Sequence, residues 1–218
     1  MRTCRAFLVA MLVAALADLP VATAANRALG FILAAQSSQI DGIAAANGSN
    51  VFAGDALSTN SDGRIQLRFG ANQIYLLPSS AIALANEKDG LMAVLSAGAV
   101  EFASPRGTQI SVRAEDVIVR PKTPAPTHAQ VTILSNNELR VASVTGPLEL
   151  ELDGELYTLT PGRTYGVKIV DDNAKDQYTE YRPARRRRKL IVVLFAGAAA
   201  AAAIIYLVQE LHESPDVP

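Results

Sequence analysis

The segment Arg64-Ile65-Gln66-Leu67-Arg68-Phe69 alternates polar and apolar side chains residue by residue. In an extended chain that period of two puts Ile65, Leu67 and Phe69 on one face and Arg64, Gln66 and Arg68 on the other. A helix would scatter the same groups around its circumference, so the pattern demands a strand with one dry face. Leu148-Glu149-Leu150-Glu151-Leu152 repeats the arrangement and runs into Asp153-Gly154, a pair suited to a tight hairpin. Gln73-Ile74-Tyr75-Leu76-Leu77 resumes it after the turn residues Gly70-Ala71-Asn72. Further strands are expected over 110–113, 117–120, 131–134, 139–144 and 164–170, punctuated by Asn47-Gly48, Asp62-Gly63 and Asp89-Gly90. The expected fold class is therefore mainly β, a layered β-sandwich or β-roll-like domain of short antiparallel strands.

Three strands open alike. Gly63-Arg64-Ile65-Gln66-Leu67, Gly98-Ala99-Val100-Glu101-Phe102 and Gly146-Pro147-Leu148-Glu149-Leu150 begin 35 and 48 residues apart, too unevenly for a strict solenoid. Each is accounted for by a turn glycine that starts a half-buried strand. Together they indicate stacked, similar β-units. Residues 120–127, RPKTPAPT, hold three prolines and read as a loop or a linker between two β subregions, because proline donates nothing to a ladder.

Outside the strands the chain reads as an exported protein. Arg2 and Arg5 precede the apolar run 6–17, and Ala22-Thr23-Ala24 supplies a small-residue cleavage site, which makes 1–24 a signal peptide. The β domain occupies 25–170, a polar and basic stalk 171–189, a transmembrane helix 190–208 and an acidic tail 209–218. Residues 190–208 carry no charge and at about 1.5 Å per residue cover most of a bilayer's hydrocarbon core. The single cysteine, Cys4, leaves with the signal peptide, so the mature chain has no disulfide or thiol chemistry. Between residues 25 and 181 the Asp and Glu residues outnumber Lys and Arg by five, which excludes nucleic acid as a partner.

The basic run Arg185, Arg186, Arg187, Arg188 and Lys189 flanks the helix on the domain side. The expected location is the bacterial inner membrane, single-pass, with the domain in the periplasm, an orientation opposed to the positive-inside tendency. The run is then placed to meet anionic lipid headgroups.

Little in the domain points to reaction chemistry. His128 is its one histidine and is expected as an exposed loop residue; a zinc site needs several His or Cys ligands. No G-x-S-x-G elbow, phosphate loop or dinucleotide motif occurs. Ser79-Ser80 reads as a turn, and Glu115-Asp116 and Asp171-Asp172 as solvated surface. No catalytic, cofactor-binding or metal-binding residue is assigned, no cofactor is expected, and the chain is not expected to be an enzyme.

One family fits these residues. The turn Gly54-Asp55-Ala56-Leu57-Ser58-Thr59, the strand from Gly63 and the run Ile74-Tyr75-Leu76-Leu77 ending in Pro78-Ser79-Ser80 resemble the FecR domain family. Residues 95–100 look like its next strand, with Gly98 inside it, and the closing strands resemble those around Gly146 and Gly162. The family-motif positions are thus Gly54, Asp55, Leu57, Thr59, Gly63, Pro78, Ser80, Gly98, Gly146 and Gly162. The resemblance implies a β-rich periplasmic signalling module with no active site. In the family's best-known member the periplasmic part receives a signal from an outer-membrane receptor, and a cytoplasmic N-terminal part acts on a sigma factor. Here a signal peptide stands where that N-terminal part would be. The expected function is a membrane-anchored envelope module that binds a protein partner, another envelope or membrane protein, and relays its state. The alternative is a structural or glycan-binding envelope domain without a signalling role.

Overall fold

The structure is a computed structural model and describes residues 27–87, 90–106, 110–171 and 188–195. Its first strands are β1 (Gly30–Ile40), β2 (Ile43–Ala44), β3 (Asn50–Val51) and the long β4 (Ala56–Phe69). They are followed by β5 (Asn72–Leu76), β6 (Ala81–Glu87), β7 (Gly90–Ala97) and β8 (Ala99–Ser104). Next come β9 (Ile110–Ala114), β10 (Val117–Pro121), β11 (Thr127–Ser135), β12 (Glu138–Thr145) and β13 (Leu148–Leu152). The last are β14 (Glu155–Leu159), β15 (Arg163–Asp171) and β16 (Arg188–Phe195). The fold is mainly β, as the alternation requires.

All strands join one ladder that folds into two arms at β4. The first half of β4 pairs with β6, the second half with β5, and β1 runs antiparallel along its other side. One arm continues β6-β7-β9-β10-β13-β14, the other β5-β8-β11-β12-β15-β16. The arms pack face to face, β11 against β7 and β9, and β13 approaches β16, so the sheet is barrel-like. Ile65, Leu67, Ile74, Leu76, Val100 and Phe102 from one arm meet Leu57, Ile82, Leu84, Val112, Val119 and Leu150 from the other in a single buried core. At roughly 25 cal/mol per Å² of apolar surface, that continuous core is the main stabilising term.

The glycine-led strands belong to two units of the same connectivity. In the first, the β4–β5 hairpin turns at Gly70-Ala71, the β6–β7 hairpin crosses to the other arm, and β8 returns to pair with β5. In the second, the β9–β10 hairpin turns at Glu115-Asp116, β11–β12 crosses over, and β13 returns to β10. The turn residues Gly70 and Glu115 share a left-handed backbone, φ 57° and 52°.

Both units also share a corner. Leu77 N donates to Ala99 O at 3.1 Å, and Lys122 N to Pro147 O at 2.9 Å. Beside those bonds Gly98 and Gly146 each have φ 74°. A Cβ on Gly98 would lie 2.2 Å from Ser80 Oγ, and one on Gly146 2.5 Å from Thr127 Oγ1. Only glycine satisfies both the backbone and the contact.

Several expectations change. Residues 95–100 are not one strand: Gly98 is a turn between β7 on one arm and β8 on the other. The proline-rich stretch is shorter than a linker, since Pro121 ends β10 opposite Leu148 and Thr127 already opens β11. His128 therefore sits on β11 rather than in an exposed loop. Residues 190–195, at the start of the expected membrane helix, are extended here as part of β16, which covers the edge of β15. Residues 196–208, the signal peptide, the tail and stalk residues 172–187 lie outside the described residues. Among the described residues no helix is long and apolar enough to cross a membrane.

Candidate functional site

Alternation leaves the second face of β4, β5 and β8 free to carry polar groups. Register places Ala34 of β1, Gln66 of β4, Tyr75 of β5, Glu101 of β8 and Gln130 of β11 in one cross-strand row. Neighbours in such a row stand about 4.5–5.5 Å apart at Cβ, so their side chains interact. Gln66 Nε2 donates to Tyr75 Oη at 3.3 Å, and the Tyr75 hydroxyl donates to Gln73 Oε1. Glu101 Oε1 is hydrogen-bonded to His128 Nε2.

Glu101 is only 3% exposed although it points away from the core. Burial of a carboxylate is costly without partners, and here His128 is the partner that the ion-pair geometry provides. The carboxylate borders a half-open cavity of about 360 Å³, whose walls include Ala35, Ile65, Leu76, Pro78 and Tyr75. A second hollow of about 310 Å³ lies beyond Tyr75 and is bordered by Gln73, Thr127 and His128. Tyr75 is thus the partition between the two hollows. Burial pushes its phenol pKa above the ordinary value of 10.0; the negative Glu101 adds to the shift and the Gln66 hydrogen bond opposes it.

The second unit fills the same register differently. Arg120 lies opposite Glu149 as Tyr75 lies opposite Glu101. Its Nε reaches Glu149 Oε1 at 3.1 Å and its Nη2 reaches Glu151 Oε2 at 2.7 Å. Burial lowers the Arg120 pKa, but hydrogen bonds and charge from the two glutamates outweigh it, and the net shift is upward.

The family-motif positions gather elsewhere, at turns and corners. Gly54 turns with φ 98°, and Asp55 Oδ2 accepts from Phe52 N at 2.8 Å across that turn. Leu57 is buried in the core. Thr59 Oγ1 accepts from Ser80 N at 3.0 Å, and Ser80 Oγ donates to Pro78 O at 3.1 Å and accepts from Ala99 N at 2.8 Å. That network ties Thr59, Pro78, Ser80 and Gly98 into one corner. Gly63 lies within β4, where a Cβ would be 2.2 Å from Ser37 O. Gly146 repeats the corner and Gly162 N donates to Ser143 O at 2.7 Å in the turn before β15. Arg185, Arg186 and Arg187 lie outside the described residues; Arg188 and Lys189 begin β16 opposite Asp171 and Val170.

Tyr75, Glu101 and His128 were not singled out together by the sequence. The signal that marks two of the positions was nevertheless in view: the polar residue of the three glycine-led matches is Gln66, Glu101 or Glu149. Two of those flank Tyr75. Among the described residues no three His, Cys, Asp or Glu stand close enough to hold a metal ion.

No family model matches the chain, and no curated protein matches it. Two crystal structures of a candidate anti-sigma factor from Parabacteroides distasonis, at 2.50 and 1.65 Å resolution, are similar to it. Each superposes with a TM-score of 0.48 and 14% identity, over 75% of this chain and 79% of that chain.

Proposed function

We propose that the chain is a non-enzymatic, FecR-like module of the bacterial envelope that binds a protein partner and relays its state. In this reading the apolar segment beyond β16 anchors it in the inner membrane and the β domain lies in the periplasm. The observation that carries the reading is the groove over Tyr75 and Glu101. Its walls are mostly apolar, one buried carboxylate borders it, and a cavity of about 360 Å³ suits an inserted side chain. Strand β14 adds a second surface. It pairs with β13 alone among the described residues and leaves Leu156 57% exposed, so an extended peptide can add to its edge.

The test joins topology to capture. Alkaline phosphatase fused after Tyr181 is expected to be active, and a fluorescent protein fused after Pro218 to glow in the cytoplasm. A photo-reactive residue at Gln36, on the groove wall, is expected to cross-link one defined envelope protein in growing cells. An inactive phosphatase at Tyr181 overturns the periplasmic placement. Retention on peptidoglycan without any protein cross-link would favour the structural or glycan-binding alternative.

A further inference from the structure

The second β-unit displays what a glutamate in this register engages. Glu149, opposite Arg120, holds its guanidinium together with Glu151. In the first unit the glutamate is retained as Glu101, but the facing residue is Tyr75, and Ala103 stands where Glu151 would be. The carboxylate is therefore kept, nearly fully buried with Oε1 on His128, while no guanidinium faces it across the strands and a cavity opens beside it.

We infer that this groove is a receptor for an arginine side chain presented by the protein partner, an inference that rests on the partner-binding reading and adds the group recognised. Three observations carry it. The internal repeat shows a guanidinium on the equivalent glutamate. Tyr75 walls the cavity with an aromatic ring, against which a planar guanidinium stacks better than an ammonium does. Of the charged groups at the rim, His128 engages Glu101 at Oε1 and the other two are turned elsewhere. Asp62 accepts from Ser37 Oγ at 3.1 Å, and Arg64 Nε is turned to Gln36 Oε1 at 3.0 Å, while His128 reaches Glu101 from the neighbouring hollow. An arginine entering from the open side meets the carboxylate of Glu101, the amide of Gln66 and the ring of Tyr75.

The probe is the peptide acetyl-Gly-Arg-Gly-amide, titrated calorimetrically into the full chain, with its uncharged citrulline counterpart alongside. The arginine peptide is expected to bind about tenfold or more tightly than the citrulline peptide, the worth of one charge-assisted contact. Glu101→Gln is expected to erase that preference. Tyr75→Arg is expected to abolish binding by supplying the guanidinium internally, and circular dichroism checks that each variant keeps its β content. Equal affinity for both peptides, or a preference untouched by Glu101→Gln, overturns the inference; if Glu101→Gln fails to fold, unchanged binding by Tyr75→Arg overturns it. A tenfold gain in arginine-peptide affinity when Arg182, Arg185, Arg186 and Arg187 become glutamine would make the chain's own basic segment the occupant and overturn a partner's arginine. Cross-linking from Gln36 separates the two levels. A partner captured by a chain that ignores the arginine peptide sinks the arginine receptor alone, whereas no captured partner sinks the partner-binding reading itself.

Discussion

In the first β-unit, β4 to β8, the strand that leaves the glycine corner carries Glu101 opposite Tyr75; in the second, β9 to β13, the same places hold Glu149 opposite Arg120. The corners themselves scarcely differ. Gly98 and Gly146 share φ 74°, and Ser80 and Thr127 present hydroxyls to them at 2.2 and 2.5 Å from the position a Cβ would take. Each hydroxyl also donates to the carbonyl two residues before it, Pro78 at 3.1 Å and Ala125 at 3.0 Å. The comparison separates two kinds of constraint. A corner fixed by backbone angle and close contact tolerates one residue type, whereas the outward cross-strand pair is free to become an ion pair in one unit and a groove in the other.

The largest expected effect tests the corners. Gly98→Ala and Gly146→Ala each combine a left-handed backbone with a backbone clash, and each is expected to cost about 3 kcal/mol or more in chemical denaturation. Gly154→Ala is the control. Its φ is 86° but no atom lies within 4 Å of the added Cβ, so strain acts alone and about 1 kcal/mol is expected. If Gly146→Ala costs no more than Gly154→Ala, the second corner is not equivalent to the first.

A smaller effect separates the two hydroxyls. Ser80 Oγ accepts from Ala99 N at 2.8 Å, but the residue that follows Gly146 is Pro147, which has no N–H to offer. Ser80→Ala leaves a part-buried donor unpaired and is expected to cost about 1–3 kcal/mol, against about 1 kcal/mol for Thr127→Ala. Equal losses would mean that both hydroxyls act by packing alone. Smaller again is Arg120→Ala. With its side chain 37% exposed, the ion pair with Glu149 and Glu151 is worth at most about 1 kcal/mol, and less in high salt.

These differences explain what the sequence made legible. Strands with one wet face, such as β5 and β13, show clean alternation of buried and part-buried residues, and both were expected at nearly their observed bounds. In β7 the consecutive Leu91, Met92 and Ala93 are all buried, and in β8 Val100, Glu101 and Phe102 are. A strand covered on both faces has no period to read, so β7 and β8 do not separate in the sequence and residues 95–100 read as one strand with Gly98 inside it. The groove was hidden for another reason. Tyr75, Glu101 and His128 are brought together only because β8 lies between β5 and β11, an order of strands that no local spacing encodes. His128 also follows Pro124 and Pro126, which disguised the first residues of β11 as loop. The recurring glutamate in the glycine-led strands was readable; that Arg120 met one copy and not the other was not.

The finest test of the comparison is the titration of Tyr75. Its pKa is raised in the folded chain, first by burial and then by Glu101. The folded state therefore holds the phenolic proton at pH values where the unfolded chain has begun to lose it. The contribution to stability is full below pH 10.0, the ordinary value, and is lost as pH climbs through the higher folded value. Tyr75→Phe is expected to flatten that part of the alkaline stability profile. Glu101→Gln should move the tyrosinate absorbance of Tyr75 toward lower pH without restoring the ordinary value, because burial is the larger cause. If the Tyr75 signal does not move in Glu101→Gln, the carboxylate does not face the ring, and the first unit loses the feature that sets it apart from the Arg120 pair of the second.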